Sequence, residues 1–70
     1  MSYNHAFYAP FRIGDRVSST EGPTMGKVGS VTRRDPEEGF IAERMTYFVT
    51  FDGETEECKE AFSYWELALA

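Results

Sequence analysis

Residues 11–31 read FRIGDRVSSTEGPTMGKVGSV. Gly14-Asp15-Arg16-Val17 stands ahead of Gly26-Lys27-Val28-Gly29-Ser30-Val31, with mostly small and polar residues between. Gly14-Asp15 is a turn signal, and Arg16 to Ser19 reads as a first strand. Glu21-Gly22-Pro23-Thr24 breaks it, because Pro23 lacks the N–H that a ladder needs and Gly22 bends at little cost. Gly26 to Arg34 reads as the second strand. Val28 and Val31 are three apart, so strict alternation places them on opposite faces. A bulge at Gly29 turns both inward; a glycine inside a strand marks either a bulge or a close backbone approach. The glycines thus predict a short strand that bends hard, which a small barrel needs in order to close.

Downstream, Arg33 to Phe40 is a polar turn around Asp35-Pro36, and Ile41 to Arg44 is loop or a strained continuation. Tyr47, Val49 and Phe51 alternate with Phe48 and Thr50, the clearest strand in the chain. Asp52-Gly53 follows at once and signals a hairpin. Glu54 to Lys59 is the expected return strand, although its acids are poor strand formers. A tight turn at Ala61 to Tyr64 and a final strand at Glu66 to Leu69 complete the expectation. The fold class is therefore all-β, a small five-stranded barrel with a short turn before the last strand. Upstream, residues 1–10 read as an arm ended by Pro10, with residues 11–70 as the barrel.

Seventy residues make one small domain, which buries only about 60% of the surface its unfolded chain exposes. Six Phe, four Tyr and one Trp supply the bulk of its core. Tyr47, Val49, Phe51, Phe62, Trp65 and Leu67 are the expected core, with Trp65 capping the barrel. No apolar run reaches the ~18 residues of a membrane span, and the N-terminal segment lacks the basic start and apolar run of a secretory signal. The single Cys58 forms no intrachain disulfide, which points to a reducing, cytoplasmic setting. The net charge is −5 but uneven: residues 1–34 carry five basic and two acidic side chains, residues 35–70 two basic and ten acidic.

Gly14-Asp15-Arg16-Val17, Gly26-Lys27-Val28-Gly29-Ser30-Val31, Tyr47-Phe48-Val49-Thr50-Phe51 and Trp65-Glu66-Leu67 together resemble an SH3-like barrel of the KOW/Tudor type. The likeness spans residues 11–69. Their order is similar to the C-terminal barrel of the nitrile hydratase β subunit and to the small SH3-like accessory subunits of photosynthetic complexes. Glu21-Gly22-Pro23-Thr24 stands where the hydratase has a His-Thr-Arg signature. The resemblance implies a barrel that docks on a larger partner. It implies no catalytic residue, since in those families the metal or cluster lies elsewhere.

The residues themselves also argue for binding rather than chemistry. Cys58 lies among carboxylates, which disfavour a thiolate nucleophile. One His (His5) and one Cys exclude a structural zinc site within one chain, and Asp52 to Glu60 lacks the spacing of a calcium loop. Gly22, Gly26 and Gly29 are not followed by the Lys-Ser/Thr of a phosphate loop. We therefore expect no catalytic residue, no metal and no cofactor.

Two surfaces are candidate partner sites. The arm carries Tyr3, Phe7 and Tyr8, with Phe11 beside it, in a barrel too small to bury all eleven aromatics. The acidic segment carries Glu54, Glu56, Glu57 and Glu60, which suit a basic protein surface, as in a phage-type inhibitor that mimics DNA. The rival reading is a KOW-type nucleic-acid or ribosome-binding module, with Arg12, Arg16, Lys27, Arg33 and Arg34 as a basic stripe. An acidic chain gains little from phosphate binding, so a protein partner is expected, nucleic acid and membrane are not, and self-association stays open.

Overall fold

The computed structural model describes residues 10–35 and 44–70. The expected arm, with Tyr3, His5, Phe7 and Tyr8, and most of the turn and loop after Asp35 lie outside them.

The all-β expectation holds. Five antiparallel strands, β1 (Arg16–Ser19), β2 (Val28–Asp35), β3 (Thr46–Phe51), β4 (Phe62–Ser63) and β5 (Leu67–Leu69), form one sheet in the order β4-β3-β2-β1-β5. The first and last strands pair, and a one-turn 3-10 helix (Tyr64–Glu66) joins β4 to β5. That turn carries the chain from one outer strand of the sheet to the other, consistent with a small barrel-like fold. No helix among the described residues is long and apolar enough to cross a membrane.

β1 and β3 form as the sequence predicts. β3 alternates buried Tyr47, Val49 and Phe51 with half-buried Thr46, Phe48 and Thr50. These three join Val17, Val31, Met45, Phe62, Leu67 and Phe11 in the core. Edge-to-face ring pairs, Phe11 on Tyr47 (centroids 5.2 Å) and Phe51 on Phe62 (5.9 Å), fill it. Burial pushes the Tyr47 phenol above its ordinary range, and its hydroxyl meets the Met45 sulfur at 3.9 Å.

Several expectations need correction. The bulge is not at Gly29 but between Val31 and Arg33, at Thr32. Gly29 is the close approach instead. It pairs in register with Val17 on one side and Phe51 on the other. A Cβ there would collide with the Thr50 carbonyl and lie 2.7 Å from the Phe51 Cα. Val28 and Val31 accordingly stay on opposite faces, with Val31 buried and Val28 half-buried. β2 starts two residues later than expected, because Gly26 takes a left-handed φ of 89° in the preceding turn.

Glu54 to Lys59 is not a strand. The turn forms, with the Glu54 N–H donating to the Phe51 carbonyl at 3.0 Å and Gly53 at φ 87°. The chain then leaves the ladder in bends, keeping one bond to β3 from the Cys58 N–H to the Val49 carbonyl, 2.8 Å. Two of its carboxylates reach sideways to bases instead, Glu54 to Lys27 just before β2 and Glu57 to Arg33 on β2. The fourth strand falls later, at Phe62–Ser63. The tight turn follows at Tyr64–Glu66 rather than at Ala61 to Tyr64, and the last strand begins at Leu67. Trp65 is carried on that turn and is 54% exposed, so it does not cap the core.

Gly29→Ala is expected to lower unfolding stability by about 1–3 kcal/mol, the cost of overpacking a site that cannot yield. Equilibrium urea unfolding checks this; a variant as stable as the parent would remove the close approach as a constraint.

Candidate functional site

Charge from the two halves of the chain meets on the outer face of the sheet. Arg16 reaches from β1 across β2, touching the Ser30 hydroxyl at 3.1 Å, to grip Asp52 with both guanidinium nitrogens, one of them at 2.8 Å. Lys27 meets Glu54 at 3.2 Å. Arg33 donates to both oxygens of Glu57, at 3.0 and 3.2 Å, and lies 3.7 Å over the Phe48 ring. The bulge explains the last cluster. The register shift at Thr32 lets this residue and Arg33 converge on one carboxylate, and the Thr32 hydroxyl donates to Glu57 at 2.6 Å.

The electrostatics follow from these contacts. Hydrogen bonds from Thr32 and Arg33 hold the Glu57 carboxyl below its ordinary range. Arg16 does the same to Asp52. Exposed ion pairs add little stability singly, and salt screens them. Their consequence here is positional: they hold the acidic segment along the β3 edge.

The sequence candidates are thus divided. Glu54 and Glu57 are paired with bases, while Glu56 and Glu60 are exposed. The acidic candidates do not present one free face. Arg16, Lys27 and Arg33 of the basic stripe are spent on the same pairs. Arg34 reaches the Phe11 carbonyl at 3.4 Å. Phe11, expected as an exposed anchor, is only 6% exposed and belongs to the core under Tyr47. Tyr3, Phe7 and Tyr8 lie outside the described residues. Cys58 is half-buried against the core beside Glu57. Among the described residues no group of three His, Cys, Asp or Glu side chains could hold a metal ion.

The feature missed in the sequence is the turn at Tyr64–Glu66. Its geometry is fixed from several sides. The Glu66 carboxylate accepts the Ser63 N–H at 2.8 Å, the acidic arm of a capping box. The Leu67 N–H closes onto the Tyr64 carbonyl. The Thr20 N–H donates to the Glu66 carbonyl at 2.9 Å. On this frame the Trp65 ring stands edge-to-face against the half-buried Tyr64, centroids 5.3 Å apart. The signal was present as Ser63-x-x-Glu66, a capping pattern. It places Trp65 inside a turn rather than at the start of a strand.

Beside it, Ser19 and Thr20 tie this turn to the loop before β2. The Gly26 N–H donates to the Ser19 carbonyl at 2.8 Å, and the buried Ser19 hydroxyl meets Thr24 Oγ1 at 2.7 Å. Exposed Met25 sits on that loop, so two large apolar side chains flank the end of β1.

No family model, curated protein or solved structure matches the chain.

A pH dependence follows from the two depressed carboxyls. A folded-state pKa below the unfolded value gives stability that is present above the ordinary carboxylate range and lost as pH falls through the depressed value. The double variant Asp52→Asn/Glu57→Gln is therefore expected to lose less melting temperature than the parent between about pH 6 and pH 3. Thermal melts across that range check it; parallel curves would contradict the pairing.

Proposed function

We propose that this chain is a non-catalytic protein-binding module, an SH3-like accessory or inhibitor domain that docks on a larger protein through the turn bearing Tyr64 and Trp65. The observation that carries the reading is the exposure of Trp65 on a turn held by Glu66, Thr20 and Leu67. Tryptophan is among the residue types that dominate binding energy at protein interfaces, and half-buried Tyr64 backs the exposed ring. Because the turn is already fixed, little conformational entropy is lost when a partner covers it. Among the described residues the core cluster does not include the indole.

The pairing of Arg16, Lys27 and Arg33 with carboxylates supports a protein partner over nucleic acid. Phosphate binding would have to break those pairs before any counterion release is gained. The pairing of Glu54 and Glu57 likewise argues against a DNA-mimicking acidic face.

Trp65→Ala separates docking from folding. It is expected to cost only about 1 kcal/mol of stability, the edge-to-face contact with Tyr64. It should abolish nuclease-resistant capture of a partner from native lysate, which the parent retains. Capture that is lost on nuclease treatment, or that Trp65→Ala leaves intact, would overturn the reading.

A further inference from the structure

The two edges of the sheet are finished in opposite ways. Beyond β4, the edge of β3 is covered by the acidic segment, which donates to the Phe51 and Val49 carbonyls and is held by ion pairs. At the other end, β5 is the outermost of the described strands. Its phase against β1 is set by two bonds: the Thr20 N–H to the Glu66 carbonyl and the Ala70 N–H to the Arg16 carbonyl, each 2.9 Å. Along an antiparallel strand, residues alternate between those that bond to the neighbour and those that do not. Glu66, Ala68 and Ala70 therefore turn their backbone groups toward β1, and Leu67 and Leu69 turn theirs outward.

The Leu67 N–H is taken up by the Tyr64 carbonyl. The Leu69 N–H and the carbonyls of Leu67 and Leu69 meet no partner among the described residues. Natural edge strands are blunted by lysine, proline, bulges or covering segments. Leu67-Ala68-Leu69-Ala70 carries no charge and no proline, and the Leu69 side chain is 65% exposed.

We propose that β5 is a pairing edge whose occupant is β5 of a second copy of this chain, joined antiparallel about a two-fold axis at Ala68. This goes beyond docking through Trp65 and does not depend on it. In that register the Leu69 N–H and the Leu67 carbonyl are self-complementary, while the Leu69 carbonyl faces the Leu67 N–H already held by Tyr64. The Leu69 N–H of each copy meets the Leu67 carbonyl of the other, giving two symmetric bonds. Ala68 faces its own counterpart in a non-hydrogen-bonded pair, where strands come closest and a methyl group fits. The exposed Leu69 lies beside Leu67 of the other copy, whose side chain is already buried, so the pairing extends the core across the seam. The seam is uncharged; the net −5 of each copy repels only from farther off, where salt screens it. Three residues per strand make a small interface, in the weak class below about 1,200 Å².

Sedimentation equilibrium from micromolar to near-millimolar protein tests this, with amide exchange at Leu69 alongside. The weight-average mass should rise from the 8.0 kDa monomer toward twice that value, and rise further at higher salt. Exchange of the Leu69 amide should slow as concentration increases. Leu69→Lys should keep the parent melting temperature and remain monomeric, while Trp65→Ala should associate as the parent does. A parent that stays at 8.0 kDa throughout would overturn the proposal. So would Leu69→Lys associating normally, loss of association in Trp65→Ala alone, or a Leu69 amide indifferent to concentration.

Discussion

The fold depends on the close meeting of three strands at Gly29. This residue stands in register between Val17 of β1 and Phe51 of β3, with no room for a Cβ against the Thr50 carbonyl. The missing side chain lets β2 press against β3 while Val17 and Phe51 seal the core on either flank. β2 is the central described strand and pairs with both β1 and β3, so the rest of the sheet is built outward from this contact. A chain that buries so little apolar surface has few other contacts with which to compensate.

The same strand arranges the charges. Past Gly29 the ladder continues regularly to Val31, and the bulge at Thr32 then aims two successive residues at Glu57. Arg16 and Lys27 find Asp52 and Glu54 at the other end of the acidic segment. The uneven charge of the sequence is thus folded against itself. Three bases of the first half and three acids of the second, which suggest two opposed binding faces, pair on one. Two apolar features stand beside these pairs: an exposed indole on a capped turn and, among the described residues, a final strand with one unpaired edge.

Much of the fold was legible because alternation and turn chemistry are local. Tyr47-x-Val49-x-Phe51 fixed its own strand and inward face, and Gly22-Pro23 broke β1 where expected. Gly29 was legible as an anomaly, but bulge and close approach give the same sequence signal; only the neighbouring strand distinguishes them. The acidic segment misled because Asp52-Gly53 signals a hairpin whether or not a return strand follows. Carboxylates with bases within reach on β1 and β2 gain more from ion pairs than from a ladder for which acids are poorly suited. Trp65 misled because size suggests burial, whereas Ser63-x-x-Glu66 fixes a capped turn that presents the ring outward. Phe11 misled in the other direction: its place beside a proline-ended arm hid its contact with Tyr47.

Trp65 is exposed and yet held on a capped turn. It is the only tryptophan, so its fluorescence reports on this turn alone. Time-resolved emission with iodide quenching measures both properties in one sample. The expected result is a red-shifted, readily quenched indole whose anisotropy decays only with tumbling of the whole protein. A blue-shifted emission shielded from iodide would place the ring in the core, and a dominant fast anisotropy decay would show a turn too loose to present it; either result would remove Trp65 as a docking anchor.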